Sequence, residues 1–335
     1  MCGLVGFIAR AQAPQAMVQA ERVVRSMFEA MRHRGTDGER VFVSSSSQAV
    51  LAHRRLAIVS QEEHGIQPMT THDGRYTIVF HGEIYNYKNL AQELKAAGVQ
   101  QPFATDTQVL LYGFAVWGVA VFRRVRGGFA CVIWDNERQK AFFVRDEFGI
   151  KPLYWAPAVI DGVAGILFSS EIKSLLASGL IARKINYSAL SDYLQYAAVH
   201  APNTLVEGVS SLEPATVMTV GEDISSEEFW DIAHVQTGAT DGYFHDYAQS
   251  VREEFIQICE LYTDINLDLG VFLSGGIDST ALLGITKKLL GRSVQTFSLG
   301  FASPTSSVVD ESALAQKTAQ SFGVEHREIM VDGYM

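Results

Sequence analysis

Apolar residues recur along this chain in strand-like and helix-like spacings, and the order of the two changes near residue 244. Leu4 to Ala9 is a short continuous apolar run, the signature of a buried strand at the very start. Ala16 to Arg34 has helical spacing, with Val18, Val23, Met27, Ala30 and Met31 on one face. It ends in Arg32-His33-Arg34-Gly35, a basic turn followed by an exit glycine; complementing the helix dipole would by itself account for these arginines. Short strands are predicted at Arg40–Val43, Ala49–Val59 and Arg75–His81, with Ser44 to Ser47 as a polar turn. Gly82-Glu83-Ile84-Tyr85-Asn86 then leads into a helix running to about Ala97. A further helix begins near Asp106, with Thr105 or Asp106 as N-cap and Val109, Leu110, Phe114 and Trp117 as its apolar face. Strands at Gly128–Asp135, Lys140–Arg145 and Gly165–Ser169 complete two clusters. Two antiparallel sheets packed together and flanked by helices follow from this pattern.

Asn186 to Gln195 is helical, and Pro202 to Asp231 is irregular apart from a hairpin-like strand at Thr216–Val220. From Phe244 onward helices at 246–262, 279–290 and 310–322 alternate with strands at 269–273, 294–300 and 325–331. That alternation implies parallel strands with crossover helices. The expected organisation is therefore a first domain over 1–185, a connecting segment over 186–243 and a second, incomplete domain over 244–335. A three-strand parallel sheet has unpaired edges and a partly uncovered face, which favours a second copy or a complementing chain as partner.

The chain has 335 residues, 47% hydrophobic and 19% charged, a globular composition long enough for two domains. A net charge of −10 argues against a nucleic-acid surface, although a local site on an acidic protein can still be positive. The three cysteines, Cys2, Cys131 and Cys259, have no metal-type spacing and read as reduced thiols of a cytoplasmic protein. No run reaches membrane-spanning length, and Leu4 to Ala9 is too short for a signal-peptide core.

Two stretches carry chemistry. Cys2 becomes the N-terminus once the initiator methionine is removed, which puts a thiol and a free α-amine on one residue. A thiol of pKa ~8.5 is a good nucleophile only as thiolate, and an α-amine of pKa ~7.7–8.0 can take its proton. The second stretch, Ser274-Gly275-Gly276-Ile277-Asp278-Ser279, follows a buried strand and opens a helix. There, glycines let backbone N–H groups converge on an anion, and the helix N-terminus adds its dipole. Asp278 can either cap the helix or hold Mg²⁺ against a phosphate. The lysine of the common nucleotide-binding P-loop is absent.

Further motifs give these stretches a context. They are Cys-Gly-x-x-Gly at 2–6, Arg-His-Arg-Gly at 32–35, Leu-Ala-His-x-Arg-Leu at 51–56 and Gly-Glu-Ile-Tyr-Asn at 82–86. Thr-Asp at 105–106, Arg-Asp-x-x-Gly-x-Lys-Pro-Leu-Tyr at 145–154 and Phe-Ser-Ser-Glu-Ile-Lys at 168–173 complete the set. The first part of the chain thus resembles the class II glutamine amidotransferase domain, and the loop at 274–279 resembles the pyrophosphatase-type loop of ATP-dependent adenylating enzymes. In this order they resemble the glutamine-hydrolysing asparagine synthetase family.

The resemblance implies an α/β protein: a four-layer αββα N-terminal-nucleophile domain followed by the start of a parallel-sheet, ATP-binding domain. It implies that Cys2 attacks the glutamine amide and forms a thioester, releasing ammonia. Arg55 would clamp the substrate α-carboxylate, the backbone at Ile58 and Val59 would line the pocket, and Asp106 would pair with the α-ammonium. Gly82 would supply an oxyanion N–H, and Glu83 would sit beside the substrate. Ammonia would pass to an acyl-adenylate made from ATP, with Mg²⁺, and a carboxylate such as aspartate. There Ser274, Gly275, Gly276, Asp278 and Ser279 would hold the phosphates, Asp278 the Mg²⁺, while Phe272 and Leu299 flank the adenine. An acceptor other than aspartate, such as a surface-sugar or secondary-metabolite acid, keeps the same architecture. So does a glutamine- or nucleotide-binding pseudoenzyme that regulates a partner.

The chain departs from the family pattern in three places. His81 stands where the family has the asparagine that donates to the oxyanion, and losing such a donor costs roughly 100- to 1,000-fold in rate. A weakened or altered glutaminase is therefore expected. Thr36 stands where proline is usual, which loosens a loop. Finally, the family's synthetase half continues beyond position 335, so this polypeptide alone is not expected to complete the adenylation.

Overall fold

The computed structural model describes residues 2–56, 65–234, 244–264, 267–301 and 311–331. The chain divides into two units, residues 1–236 and 237–335. In the first, β1 (Gly3–Ala9) is followed by α1 (Pro14–Glu29), β2 (Gly38–Val43), β3 (Ala49–Arg55), β4 (Met69–Thr70) and β5 (Tyr76–Ile84). Next come α2 (Tyr87–Ala96), α3 (Asp106–Trp117), β6 (Gly127–Asp135), β7 (Lys140–Arg145), β8 (Tyr154–Ile160) and β9 (Val163–Ser169). The unit closes with α4 (Ile172–Ala177), α5 (Tyr187–Tyr196), β10 (Ser210–Ser211), β11 (Thr216–Val220) and β12 (Ile224–Glu228).

These strands form two antiparallel sheets, ordered β10-β8-β9-β1-β3-β2 and β12-β11-β7-β6-β5-β4. Three apolar layers hold them. Val5, Phe7 and Ala9 of β1 pack with Met17, Val24 and Met27 of α1. Leu4 and Ile8, on the other side of the same strand, pack with Val79, Val132, Phe143 and Phe168 between the sheets. Ile78, Phe80 and Ile133 meet Leu110 and Phe114 of α3 and Leu94 of α2. The result is the four-layer αββα arrangement. It also explains why β1 is apolar throughout: all seven of its residues are buried because both faces are covered.

Three local outcomes differ from the sequence expectation. Val18 is 62% exposed; the buried stripe of α1 runs through Met17, Ala20, Val24 and Met27 instead. The strand expected to end at His81 continues to Ile84, because Gly82, Glu83 and Ile84 pair with Phe129, Gly128 and Gly127. Both Tyr154–Ile160 and Ile224–Glu228, not anticipated as strands, join sheets, beside β9 and β11 respectively. Thr105 is the N-cap of α3, in a capping box with Gln108.

The second unit contains α6 (Phe244–Thr263), β13 (Leu269–Phe272), α7 (Ile277–Gly284), β14 (Val294–Phe301), α8 (Ser312–Phe322) and β15 (His326–Val331). Its three strands are parallel, in the order β13-β14-β15. Val271, Leu273 and Val294 bury against Leu283 of α7 and Ala315 and Ala319 of α8. Phe272 is 82% exposed, and Leu299 and Ile329 are exposed as well, so part of this small sheet stays uncovered. Among the described residues no helix is long and apolar enough to cross a membrane.

Candidate active site

β1 delivers Cys2 to the end of the sheet it shares with β3 and β9. Its thiol lies between the backbone groups of Leu56: the Leu56 N–H donates to Sγ at 3.3 Å, and Sγ is 3.5 Å from the Leu56 carbonyl. Arg34 Nε donates to the Cys2 carbonyl at 2.8 Å, so main chain and side chain are both held. Beside the thiol opens a cavity lined by Arg55, Leu56, Gly65, Gln67, Phe80, Gly82, Glu83, Thr105, Asp106 and Thr107. Cys2, Arg55, Gly82, Glu83 and Asp106 are thus brought together around one cavity. His81 does not line the cavity, and Ile58 and Val59 lie outside the described residues.

The free edge of β5 builds the floor. The Phe80 N–H donates to Gln67 Oε1 at 2.6 Å, and the Ile84 N–H donates to Asp106 Oδ2 at 3.0 Å. Between them lies Gly82. Its partner across β6, Phe129, spends its N–H on Asp146 Oδ2 and its carbonyl on the Asp146 N–H. Gly82 and Phe129 therefore form a non-hydrogen-bonded pair, which leaves the Gly82 N–H on the cavity side with Phe80 and Ile84. Only glycine fits here. Its φ is +149°, and a Cβ would lie 2.6 Å from the Phe129 Cα.

Burial sets the protonation of the site. Desolvation, and then repulsion from Asp106, pushes the Glu83 carboxyl up to about 8. Desolvation raises Asp106 to about 6 against the opposing hydrogen bonds from the Ile84 and Thr107 N–H groups. The Cys2 thiol is also pushed up, first by burial, with Glu83 and Asp106 adding to it and the Leu56 backbone opposing. Burial, then the Arg34 and Lys151 charges, drives His81 down to about 2. The ring is neutral at any working pH.

Because Glu83 titrates higher in the folded protein than in the unfolded chain, the folded state holds the extra proton between about 4.5 and about 8. Stability is therefore lost as pH rises through that window. Glu83→Gln removes the loss. The variant should melt about 2–4 °C above the parent near pH 8.5 and close to it near pH 5. Thermal melts at the two pH values check this, and a gap that does not widen with pH would contradict it.

In the second unit, Ser274 Oγ and Ser279 Oγ are 3.1 Å apart, and the Gly276 N–H donates to Ser274 Oγ at 3.3 Å. Gly275 has φ +80°, and a Cβ there would meet Leu314 of α8. Gly276 is the N-cap of α7 and makes no side-chain cap, so Asp278 lies exposed in the first turn and is not the cap. A cavity beside the loop is lined by Phe272, Ser274 and Leu299 together with Phe297, Ser298 and Ser312. Among the described residues no group of three His, Cys, Asp or Glu could hold a metal ion. A Mg²⁺ held by one carboxylate, phosphate oxygens and water needs no such group, and Asp278 fits that mode.

Sequence reasoning missed Leu56, Gln67, Gly65 and Thr107 as cavity residues. Leu56 was within reach, as the last residue of the motif at 51–56. Gln67 has no comparable signal, since it acts by bonding the backbone of β5.

Residues 1–230 match the protein-family model described as glutamine amidotransferase domain, and residues 250–334 match the one described as asparagine synthase. Asparagine synthetase [glutamine-hydrolyzing] 1 of Bacillus subtilis is 33% identical over 330 residues, covering 97% of this chain and 49% of that protein. An amidase of Gibberella zeae is 28% identical over 356 residues, covering 99% of this chain and 51% of that one. The chain spans about half the length of the curated relatives it matches. The solved structure of the allosteric regulatory enzyme of purine biosynthesis aligns with a TM-score of 0.50 at 14% identity, over 98% of this chain and 80% of that one, a likeness of fold. With a family model matched along residues 1–230, this chain belongs to the glutamine amidotransferase family and carries behind that domain a segment of asparagine synthase type.

Proposed function

We propose that this protein hydrolyses glutamine at Cys2 and that the ammonia serves a ligase reaction on a carboxylate activated with ATP. The observation that carries this is the cavity that gathers Cys2, Arg55, Gly82, Glu83 and Asp106 in one place. Once Met1 is removed, the α-amine of Cys2 takes the thiol proton. Sγ attacks the side-chain amide carbon; the C–N bond breaks, ammonia leaves with that proton, and water then cleaves the thioester to glutamate. Arg55 offers its guanidinium fork to the α-carboxylate, and Asp106 with Glu83 receives the α-ammonium. That cation favours both carboxylates ionised, so binding would release protons from groups that burial has raised.

The oxyanion would be met by the Gly82 N–H and by His81. His81 Nδ1 is buried without a hydrogen-bond partner among the described residues, and a buried donor of this kind calls for an acceptor. Yet the ring stands outside the cavity lining, with Arg34 Nη2 on its other nitrogen at 3.3 Å. A shorter carboxamide can donate from a different angle. His81→Asn is accordingly expected to raise kcat for glutamine hydrolysis about tenfold, and an unchanged or lower kcat would count against a weakened oxyanion site.

In the synthetase-type segment, Ser274, Gly275, Gly276 and Ser279 would take the ATP phosphates, Asp278 a Mg²⁺, and Phe272 and Leu299 the adenine. The bound Mg²⁺ would neutralise phosphate charge during adenylation. The synthetase relatives are named for asparagine, which supports aspartate as the acceptor; the resemblance to an amidase supports other carboxylates in the same role. The reading is of a cytoplasmic enzyme. Glutamate and ammonia produced in equal amounts from glutamine test it; glutamine bound without turnover would mark a regulatory module instead.

A further inference from the structure

Arg34 is 8% exposed and makes three separate bonds with its guanidinium. Nε holds the Cys2 carbonyl at 2.8 Å, Nη1 holds Glu171 Oε1 at 2.7 Å, and Nη2 holds His81 Nε2 at 3.3 Å. Glu171 lies two residues beyond the end of β9, at the N-cap of α4. The Ser170 N–H beside it donates to the Leu4 carbonyl of β1, and the Glu171 N–H donates to Ser169 Oγ. Its carboxylate is steadied from outside by His33 at 2.8 Å and by Lys173 at 3.3 Å. We infer that Glu171 is a positioning residue for glutamine hydrolysis, acting through Arg34 on the Cys2 backbone and on the proton of His81.

The chemistry of the donors leads to this. A guanidinium only donates, so His81 Nε2 must present its lone pair to Arg34. The neutral ring then carries its proton on Nδ1, the nitrogen without a partner. Release of Arg34 would free the ring to exchange tautomers and would let the Cys2 carbonyl turn, swinging Sγ away from the Leu56 N–H. Glu171 fixes the third arm of the fork and so the plane of the other two. It does not line the cavity, so substrate binding does not depend on it. The inference rests on Cys2 being the nucleophile.

Steady-state glutamine hydrolysis by the full chain, its Cys2→Ala and Glu171→Gln variants, and Lys184→Met, a loss of an exposed lysine that pairs with Glu207, as a control tests it. Glu171→Gln should lower kcat about tenfold while KM changes by less than about twofold, and Lys184→Met should match the parent. An unchanged kcat in Glu171→Gln, or a loss carried by KM, overturns the inference and leaves the nucleophile standing. If the parent releases no ammonia, or Cys2→Ala still does, the nucleophile reading fails and this one with it. Nitrogen NMR of the parent gives a measurement independent of whether the variant folds. The histidine signal missing from His81→Asn should be that of a neutral ring protonated at Nδ1; protonation at Nε2, or a charged ring, overturns the inference.

Discussion

Cys2→Ala is expected to lower ammonia release from glutamine by about four orders of magnitude, because it removes the atom proposed to form the thioester while leaving water-only chemistry behind. Affinity for glutamine should survive. The groups assigned to the amino-acid end of the substrate, Arg55, Glu83 and Asp106, line the cavity independently of the thiol. The fold should survive too, since Cys2 is partly exposed and its backbone is held by Arg34, whose bond goes to the Cys2 carbonyl. Calorimetric titration with glutamine alongside an ammonia assay separates the two effects. Residual turnover of more than a few per cent would assign the chemistry to another group.

Gly82→Ala should cost about 100- to 1,000-fold in kcat, the range seen when one oxyanion donor is lost. The cause is backbone geometry. A methyl group at this position would press on the Gly128 carbonyl and the Phe129 Cα, neither of which can rotate away, at a φ of +149° that side chains rarely adopt. β5 must then lift from β6 and carry the Gly82 N–H with it. KM should move far less than kcat, because the carboxylate and ammonium partners are side chains. A kcat within about tenfold of the parent would exclude this N–H from the oxyanion site.

Much of this was legible because sequence pattern and environment coincide. β7 has the bounds expected for it, and Thr105 caps α3 because a β-region threonine followed three residues later by glutamine satisfies two backbone donors at once. The rest depends on pairing and backbone bonds, which no spacing reports. Tyr154–Ile160 contains Pro157 and reads as a broken run. It is nevertheless a strand, because β10 covers only Tyr154 and Trp155, and Pro157 faces a side that needs no donor. Ile224–Glu228 is exposed throughout and polar after its first residue, an edge strand held by β11 alone. His81 was legible as a departure. Its place behind the cavity, on Arg34, was not, since that follows from which face of β5 meets the other sheet.

The central position of β1 also sets an order of events during synthesis. Its partners are β3, about fifty residues later, and β9, which ends at Ser169. At roughly 5–20 residues per second, a ribosome needs on the order of ten seconds or more to supply the second of them. Through that interval β1 has β3 and β2 on one side only, and its other edge has no partner strand. Once β9 docks, the strand is sealed on both edges. The strand that carries Cys2 is thus fixed on both edges only after most of the first unit has been made.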